Sequence, residues 1–259
     1  MFIRNRQAQI IELAKSEGRL QVDGLAARFS VTPQTIRRDL NELCDSGKLV
    51  RIHGGAVFPA TKENVEYEQR RLIAADSKKA IGAAAARLIP DNSSIFINIG
   101  TTTEAVAGFL LRHRNLLAIT NNINVANILR ASPTTELVLS GGVVRHSDGA
   151  LVGDAAVDFF GRFKVDFAVI GASAIDPDGS LLDFDMREVR VAQAIMANAE
   201  NVILVSDATK FKRRAPMRIG HVSSVDVFVT DSCTQEGFPE LLAQHKVRLI
   251  ETDKEQNEH

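Results

Sequence analysis

Residues 31–40 read VTPQTIRRDL. Thr32 is of a type that caps helices, and Pro33 suits a first helical position, where a missing N–H has no intrahelical partner anyway. Ile36, Leu40 and Leu43 follow at i, i+4 and i+7, so the helix carries one narrow apolar stripe. At about 100° per residue, Gln34, Arg38 and Asn41 lie opposite that stripe, with Thr35 and Arg37 on its flanks. Two structures satisfy this pattern. One is a surface helix whose outer face is simply polar. The other is a helix that lies in the major groove of DNA, where Arg forks onto guanine, Gln and Asn pair with adenine, and Thr reaches phosphate or the thymine methyl.

The neighbouring sequence favours DNA. Residues 4–17 have a helical period through Ile10, Leu13 and Ala14, and Gly18 is placed to end that helix. A short second helix follows, containing Leu25, Ala26 and Phe29 with Asp23 as its expected cap, and Ser30-Val31 forms a tight connection to the third. Two helices so closely joined meet the requirement of a helix-turn-helix. Beyond the third helix, Gly47 marks its end and GKLVRIHGGAVF reads as two short β segments joined at Gly54-Gly55. Lys48, Arg51 and His53 on this hairpin are candidate contacts to a flanking phosphate or the minor groove.

The 259-residue chain is 45% hydrophobic and 24% charged, as in ordinary globular proteins. Its net charge of −1 is unevenly spread. Residues 1–57 hold nine Lys/Arg and six Asp/Glu, against 22 and 26 in the remainder. A basic head on an acidic body suits a DNA-reading unit attached to a regulatory one. No apolar run approaches the about 20 residues needed to span a bilayer, and the N-terminus lacks a signal-peptide core, so a cytoplasmic location is expected. Cys44, Cys233 and six scattered histidines form no metal-ligand or triad spacing, so neither metal nor cofactor is expected. Cys44 reads as a small packing residue.

From residue 77 onward, strand-like and helix-like runs alternate. Strands are expected at 94–99, 116–120, 136–140, 166–171, 201–206, 225–230 and 247–250, with helices at 78–88, 103–112, 123–130 and 186–198. Such alternation implies an α/β fold with a largely parallel sheet covered on both faces. Ligands in these folds bind at the carboxyl ends of the strands, and small polar residues recur there. The successive ends are Gly100-Thr101-Thr102-Thr103, Thr120-Asn121-Asn122, Ser140-Gly141-Gly142, Gly171-Ala172-Ser173, and Ser206-Asp207 with Lys210 nearby. GTTTEAVA runs directly into a helix, whose N-terminal N–H groups suit a phosphate. Any one such loop is ordinary βα turn chemistry. Five together favour a site for a small anionic molecule. Asp183 and Asp185 read as pocket residues or, the reading adopted, as solvated loop residues. The basic run over 210–214 reads as a phosphate-binding Lys210 with solvated neighbours rather than as a second DNA patch.

The runs TIRRDLNEL and GKLVRIHGGA resemble the winged helix-turn-helix of DeoR-type bacterial repressors, and the strand-end loops resemble the sensor domain of the same family. The likeness covers nearly the whole chain. It implies a winged helix-turn-helix joined to a Rossmann-like parallel-sheet sensor domain similar to sugar-phosphate isomerases. The boundaries are 1–58, a linker and leading helix over 59–76, and 77–259. By position it implies DNA contacts from Thr32, Gln34, Thr35, Arg37, Arg38 and Asn41, and wing contacts from Lys48, Arg51 and His53. Asp39 instead faces the first helix or orients a neighbouring Arg. The resemblance also implies a phosphate held by Gly100, Thr101, Thr102 and Thr103, and a pocket lined by Asn121, Asn122, Gly141, Gly142, Glu188 and Lys210. One departure is Asn98, where many members place Asp before the glycine.

The implied partners are double-stranded operator DNA, a small phosphorylated metabolite and further copies of the chain, with no membrane. SVTPQTIRRDLNEL, INIGTTTEAVA, ITNNINVANIL and DGSLLDFD most resemble the members of the family that respond to glycerol-3-phosphate. The expected function is therefore operator repression relieved by that ligand. The alternatives are a repressor answering another sugar phosphate, or an isomerase-like enzyme with Glu188 as proton-transfer base.

Overall fold

The apolar stripes of the N-terminal helices can be buried only against one another and against the hairpin. The computed structural model describes residues 2–17, 19–45, 48–52, 54–57, 67 and 70–255. They divide into two compact units, Met1–Ile73 and Ala74–His259. In the first unit, α1 (Phe2–Glu17), β1 (Arg19–Gln21), α2 (Val22–Phe29) and α3 (Pro33–Asp45) precede the hairpin β2 (Val50–Ile52) and β3 (Gly55–Val57). Its core gathers Ile10 and Ala14 of α1, Leu25 of α2, Ile36, Leu40 and Leu43 of α3, and Leu49 and Ala56 beside and on the hairpin. Cys44 packs against this cluster, as expected.

β3 lies between β1 and β2, antiparallel to both. The second glycine of the turn is required by this pairing, because a Cβ on Gly55 would lie 1.8 Å from the Leu20 carbonyl oxygen. Asp23 does not cap α2. The helix starts one residue earlier, at Val22, and its cap position, Gln21, is still paired with Gly55 in the sheet and makes no side-chain capping bond. Asp23 sits instead in the first helical turn, where its charge suits the helix dipole. Gly18, Gly47, His53 and most of the expected linker lie outside the described residues; Tyr67 and residues 70–72 are helical, with the Arg70 guanidinium 5.9 Å from the Tyr67 ring centroid.

The second unit is built on seven parallel strands in the order β15-β14-β12-β9-β4-β5-β6. These are β4 (Ser94–Ile97), β5 (Leu117–Thr120), β6 (Glu136–Leu139), β9 (Val165–Ile170), β12 (Ala199–Val205), β14 (Val227–Thr230) and β15 (Arg248–Glu251). Each falls at one of the seven expected positions. Alternate residues point to opposite faces; in the five inner strands both faces are largely buried, which is why these read as continuous apolar runs, while the edge strands β6 and β15 are half-buried to exposed. Ile95 and Ile97 pack with Ile81 of α4 (Ala75–Ala86), Val106 of α5 (Thr101–Leu110) and Val125 of α6 (Ile123–Leu129). Phe96 packs on the other side with Phe160 of α7 (Asp154–Phe160), Ile195 of α8 (Met186–Ala197) and Phe238 of α9 (Phe238–Gln244).

From β4 the chain moves outward through β5 to the edge strand β6, then returns to β9 on the other side of β4. The order therefore reverses between β4 and β9, which opens a crevice at their carboxyl ends. The return path carries an antiparallel ribbon, β7 (Val143–Val144) with β8 (Leu151–Val152). A small antiparallel sheet of β10 (Ala174–Ile175), β11 (Ser180–Asp183) and β13 (Met217–His221) adjoins the main one in sequence. Neither small sheet is evident from sequence periodicity, because VV, LV, AI, SLLD and MRIGH lack the sustained apolar run that marks the main sheet's strands. Among the described residues, no helix is long and apolar enough to cross a membrane, and no cluster suited to a metal ion is found.

Candidate functional site

The geometry of α3 follows from how its two ends are held. Ser30 ends α2 in the left-handed conformation (φ 51°), with its own N–H and that of Val31 bonded back into the last turn. That reverses the chain within three residues. Thr32 then accepts the Thr35 N–H at 3.3 Å and exchanges a hydroxyl bond with Thr35 at 2.9 Å. Thr32 is thus occupied as a cap, with Pro33 at the first helical position as expected.

Ile36, Leu40 and Leu43 are buried, and Asp39 beside them turns inward, where its Oδ2 accepts the Arg6 Nε–H at 2.5 Å. Asp39 therefore ties α3 to α1, as its expected position implies. This bond raises the pKa of Arg6 above its ordinary value. The opposite face holds Gln34, Arg37, Arg38 and Asn41 exposed, with Thr35 half-buried. The Arg38 side chain is 84% exposed and, among the described residues, is tethered to Glu42, 3.4 Å away, while Glu42 also accepts from Gln7 at 2.7 Å. Lys48 follows α3 and Arg51 lies on β2, both exposed. His53 is not among the described residues.

In the second unit, the small polar loops converge at the carboxyl ends of the strands. Gly100 occupies φ 138°, a backbone region that L side chains rarely adopt, and starts α5 without a side-chain cap. The hydroxyl of Thr103 is buried and bonded to the carbonyls of Asn98 (2.7 Å) and Gly100 (2.8 Å), so it braces the loop from beneath. Thr102 is buried and Thr101 half-buried. Asn122 caps α6 through its Oδ1, 2.8 Å from the Asn124 N–H, and its amide donates to Glu104 at 3.2 Å. Asn122 is therefore engaged in shaping the rim.

Asn121 is different. Its amide nitrogen donates to the Leu151 carbonyl at 3.2 Å, but its Oδ1 has no partner. The same holds for Asn98 Oδ1 beyond β4, Ser140 Oγ beyond β6 and Ser206 Oγ beyond β12. All four side chains are at most 4% exposed. Buried polar atoms are nearly always paired, so four orphans at the ends of four parallel strands ask for a ligand or ordered water. Gly141 and Gly142 are exposed beside Ser140. Lys210 is half-buried in the short 3-10 turn beyond Ser206. Its neighbours Lys212 and Arg214 are exposed, whereas Phe211 packs edge-on against Phe228 and Phe238.

Asp183 and Asp185 depart from the expected solvated loop. Asp183 Oδ1 accepts from the Ser173 hydroxyl at 3.0 Å and the Phe184 N–H at 2.6 Å. Asp185 caps α8 and pairs with Arg187 at 2.7 Å and Arg145 at 3.4 Å. The hydrogen bond from Arg187, aided by Arg145, holds its carboxyl below the usual range. Glu188 is ion-paired with Arg145. Arg145 and Glu104 are structural finds: neither belongs to a periodic pattern, and only the folded chain brings them to this rim.

The DeoR-like helix-turn-helix domain matches residues 6–62, and the DeoR C terminal sensor domain matches residues 73–232. The glycerol-3-phosphate regulon repressor of Escherichia coli (strain K12) is 43% identical over 94% of this chain and 97% of its own length. The protein of that name from Haemophilus influenzae is 42% identical over 95% of each. Among solved structures, ribose 5 phosphate isomerase A from Neisseria gonorrhoeae is similar at a TM-score of 0.37 and 13% identity, over 51% of this chain and 52% of that one. The exposed polar face of a helix-turn-helix and a sensor domain with unpaired polar groups at its strand ends belong together in one lineage: the chain is a member of the DeoR family of DNA-binding transcriptional repressors.

Proposed function

We propose that this repressor is released from its operator by glycerol-3-phosphate, bound at the carboxyl ends of β4, β5, β6 and β12. The observation that carries the reading is the set of orphan oxygens on Asn98, Asn121, Ser140 and Ser206, beside the uncapped start of α5. A helix N-terminus suits a phosphate, and the backbone N–H groups of Gly100 to Thr103 are its donors. The orphan oxygens suit the two hydroxyls of a glycerol ester. Gly141 and Gly142 leave room for the ligand, Glu188 accepts from a hydroxyl, and Lys210 adds positive charge. Asn122 contributes by holding the rim. The names of the relatives support this choice of ligand over other sugar phosphates.

In the first unit, Gln34, Thr35, Arg37, Arg38 and Asn41 read the operator, Thr32 sets the helix start, and Lys48, Arg51 and His53 steady the wing on the backbone. A helix-turn-helix reads one half-site, so the working species is a homo-oligomer acting where the operator lies, in the cytoplasm. A tenfold to hundredfold release needs about 1.4 to 2.8 kcal/mol of coupling. Titration of operator complexes with glycerol-3-phosphate, glycerol and a panel of sugar phosphates tests the reading. Release by glycerol-3-phosphate at the lowest concentration is expected. Release by glycerol alone, or by none of them, overturns it.

A further inference from the structure

Arg145 lies in the loop between β7 and β8, on the return path from the edge strand to β9. That ribbon is fastened to the carboxyl end of β5: the Asn121 carbonyl accepts the Leu151 N–H at 2.7 Å, and Asn122 bridges to Ala150. The Arg145 side chain is only 15% exposed and meets three carboxylates. One edge, Nε and Nη2, is clamped by Asp148 of its own loop at 2.9 and 2.5 Å. Its Nη1 is shared between Asp185, 3.4 Å away, and Glu188, both at the start of α8. With Arg187, the cluster holds two positive and three negative groups.

We propose that Arg145 is an effector-contacting residue whose Nη1 edge transfers from Asp185 and Glu188 to the phosphate of the bound ligand. The proposal rests on the strand ends being the effector site. The Asp148 clamp leaves the guanidinium in place while its outer edge exchanges one anion for another. A phosphate dianion is the competitor of choice, because Nη1 and the second N–H of Nη2, the one not held by Asp148, can meet two phosphate oxygens in parallel charge-assisted bonds. Asp185 keeps Arg187 after the exchange. Glu188 gains free oxygens, which then accept from the ligand's hydroxyls. Phosphate recognition and hydroxyl recognition are thereby linked in one movement, and an uncharged polyol cannot trigger it.

The test is a thermal-shift and calorimetric titration of the full chain with glycerol-3-phosphate, inorganic phosphate and glycerol, for wild type, Arg145→Gln and Arg145→Lys. The expected result is a tenfold to hundredfold loss of glycerol-3-phosphate affinity in Arg145→Gln, as for removal of a charged hydrogen bond. The inorganic phosphate shift should disappear, and the glycerol response should match wild type. Arg145→Lys should lie between, and it carries the test if the glutamine variant does not unfold cooperatively. Wild-type affinity in both variants overturns the role of Arg145 and leaves the effector site standing. Equal weakening toward all three probes reduces Arg145 to scaffolding and overturns it too. Absence of glycerol-3-phosphate binding in the wild type refutes the effector reading itself, and this one with it.

Discussion

The two units present their polar chemistry in opposite ways. On α3 the residues assigned to DNA stand outward on a helix whose inner side is fully packed, with Arg38 84% exposed. At the strand ends of the second unit the polar residues are buried, and most are bonded to backbone or to one another. A groove-reading helix must offer its side chains to a large, charged partner that arrives from solvent. A small-molecule site must instead surround its ligand, so its rim is built first and only a few atoms are left unpaired. On the proposed reading, Asn98 Oδ1, Asn121 Oδ1, Ser140 Oγ and Ser206 Oγ are among those atoms.

The largest effect is expected for Gly55→Ala. The added methyl would meet the Leu20 carbonyl oxygen at 1.8 Å, so β1 and β3 must separate. A loss of about 3 kcal/mol is expected, at the upper end of overpacking effects. Operator binding should fall with it while glycerol-3-phosphate affinity persists; loss of both would show that the two units do not fold independently.

Arg38→Ala comes next. It should cost about 1 to 3 kcal/mol of specific operator affinity with no change in unfolding temperature, since the side chain supports no packing. Unchanged binding in a gel-shift titration would remove the assigned reading face.

Thr103→Val sharpens the other half of the contrast. It removes the hydroxyl donor from the Asn98 carbonyl, at about 1 to 3 kcal/mol, while the Gly100 carbonyl keeps its bond from the Glu104 N–H. Chemical denaturation should register that loss in the sensor unit, and effector affinity should fall as the loop relaxes. An unchanged transition would mean that the loop does not need its brace.

The smallest effect is in acid. Arg187, aided by Arg145, depresses the Asp185 pKa, so the folded form holds its proton less tightly than the unfolded chain does. Its contribution to stability is present above the unfolded value of about 3.9 and is lost as pH falls through the folded one. Unfolding temperatures recorded from pH 6 downward, with Asp185→Asn as the reference, should show a shallower acid decline in the variant; parallel curves would exclude this contribution.

The geometry of α3 was legible in the sequence to the level of single residues. Its cap, stripe and outer face depend on neighbours three or four positions apart, which periodicity reports directly. The seven strands of the sheet were legible for a related reason: the inner strands, buried on both faces, must be apolar, and the edge strands keep an apolar centre. The strand-end loops were legible as a group, but their division of labour was not. The Thr103 hydroxyl and the Asn122 side chain are bonded within the protein, and Asp183 and Asp185, expected to be solvated, accept hydrogen bonds at the rim.

What the sequence by itself determined is therefore what local spacing dictates: a winged head, an α/β body and the polar character of the strand ends. The tertiary structure alone decided which polar atoms have partners. The hydrogen bond between Asn122 and Glu104 and the ion pair of Arg145 with Asp185 join residues 18 and 40 positions apart. No local period carries such distances; they arise when the chain leaves β4, reaches the sheet edge and returns across its own strand ends.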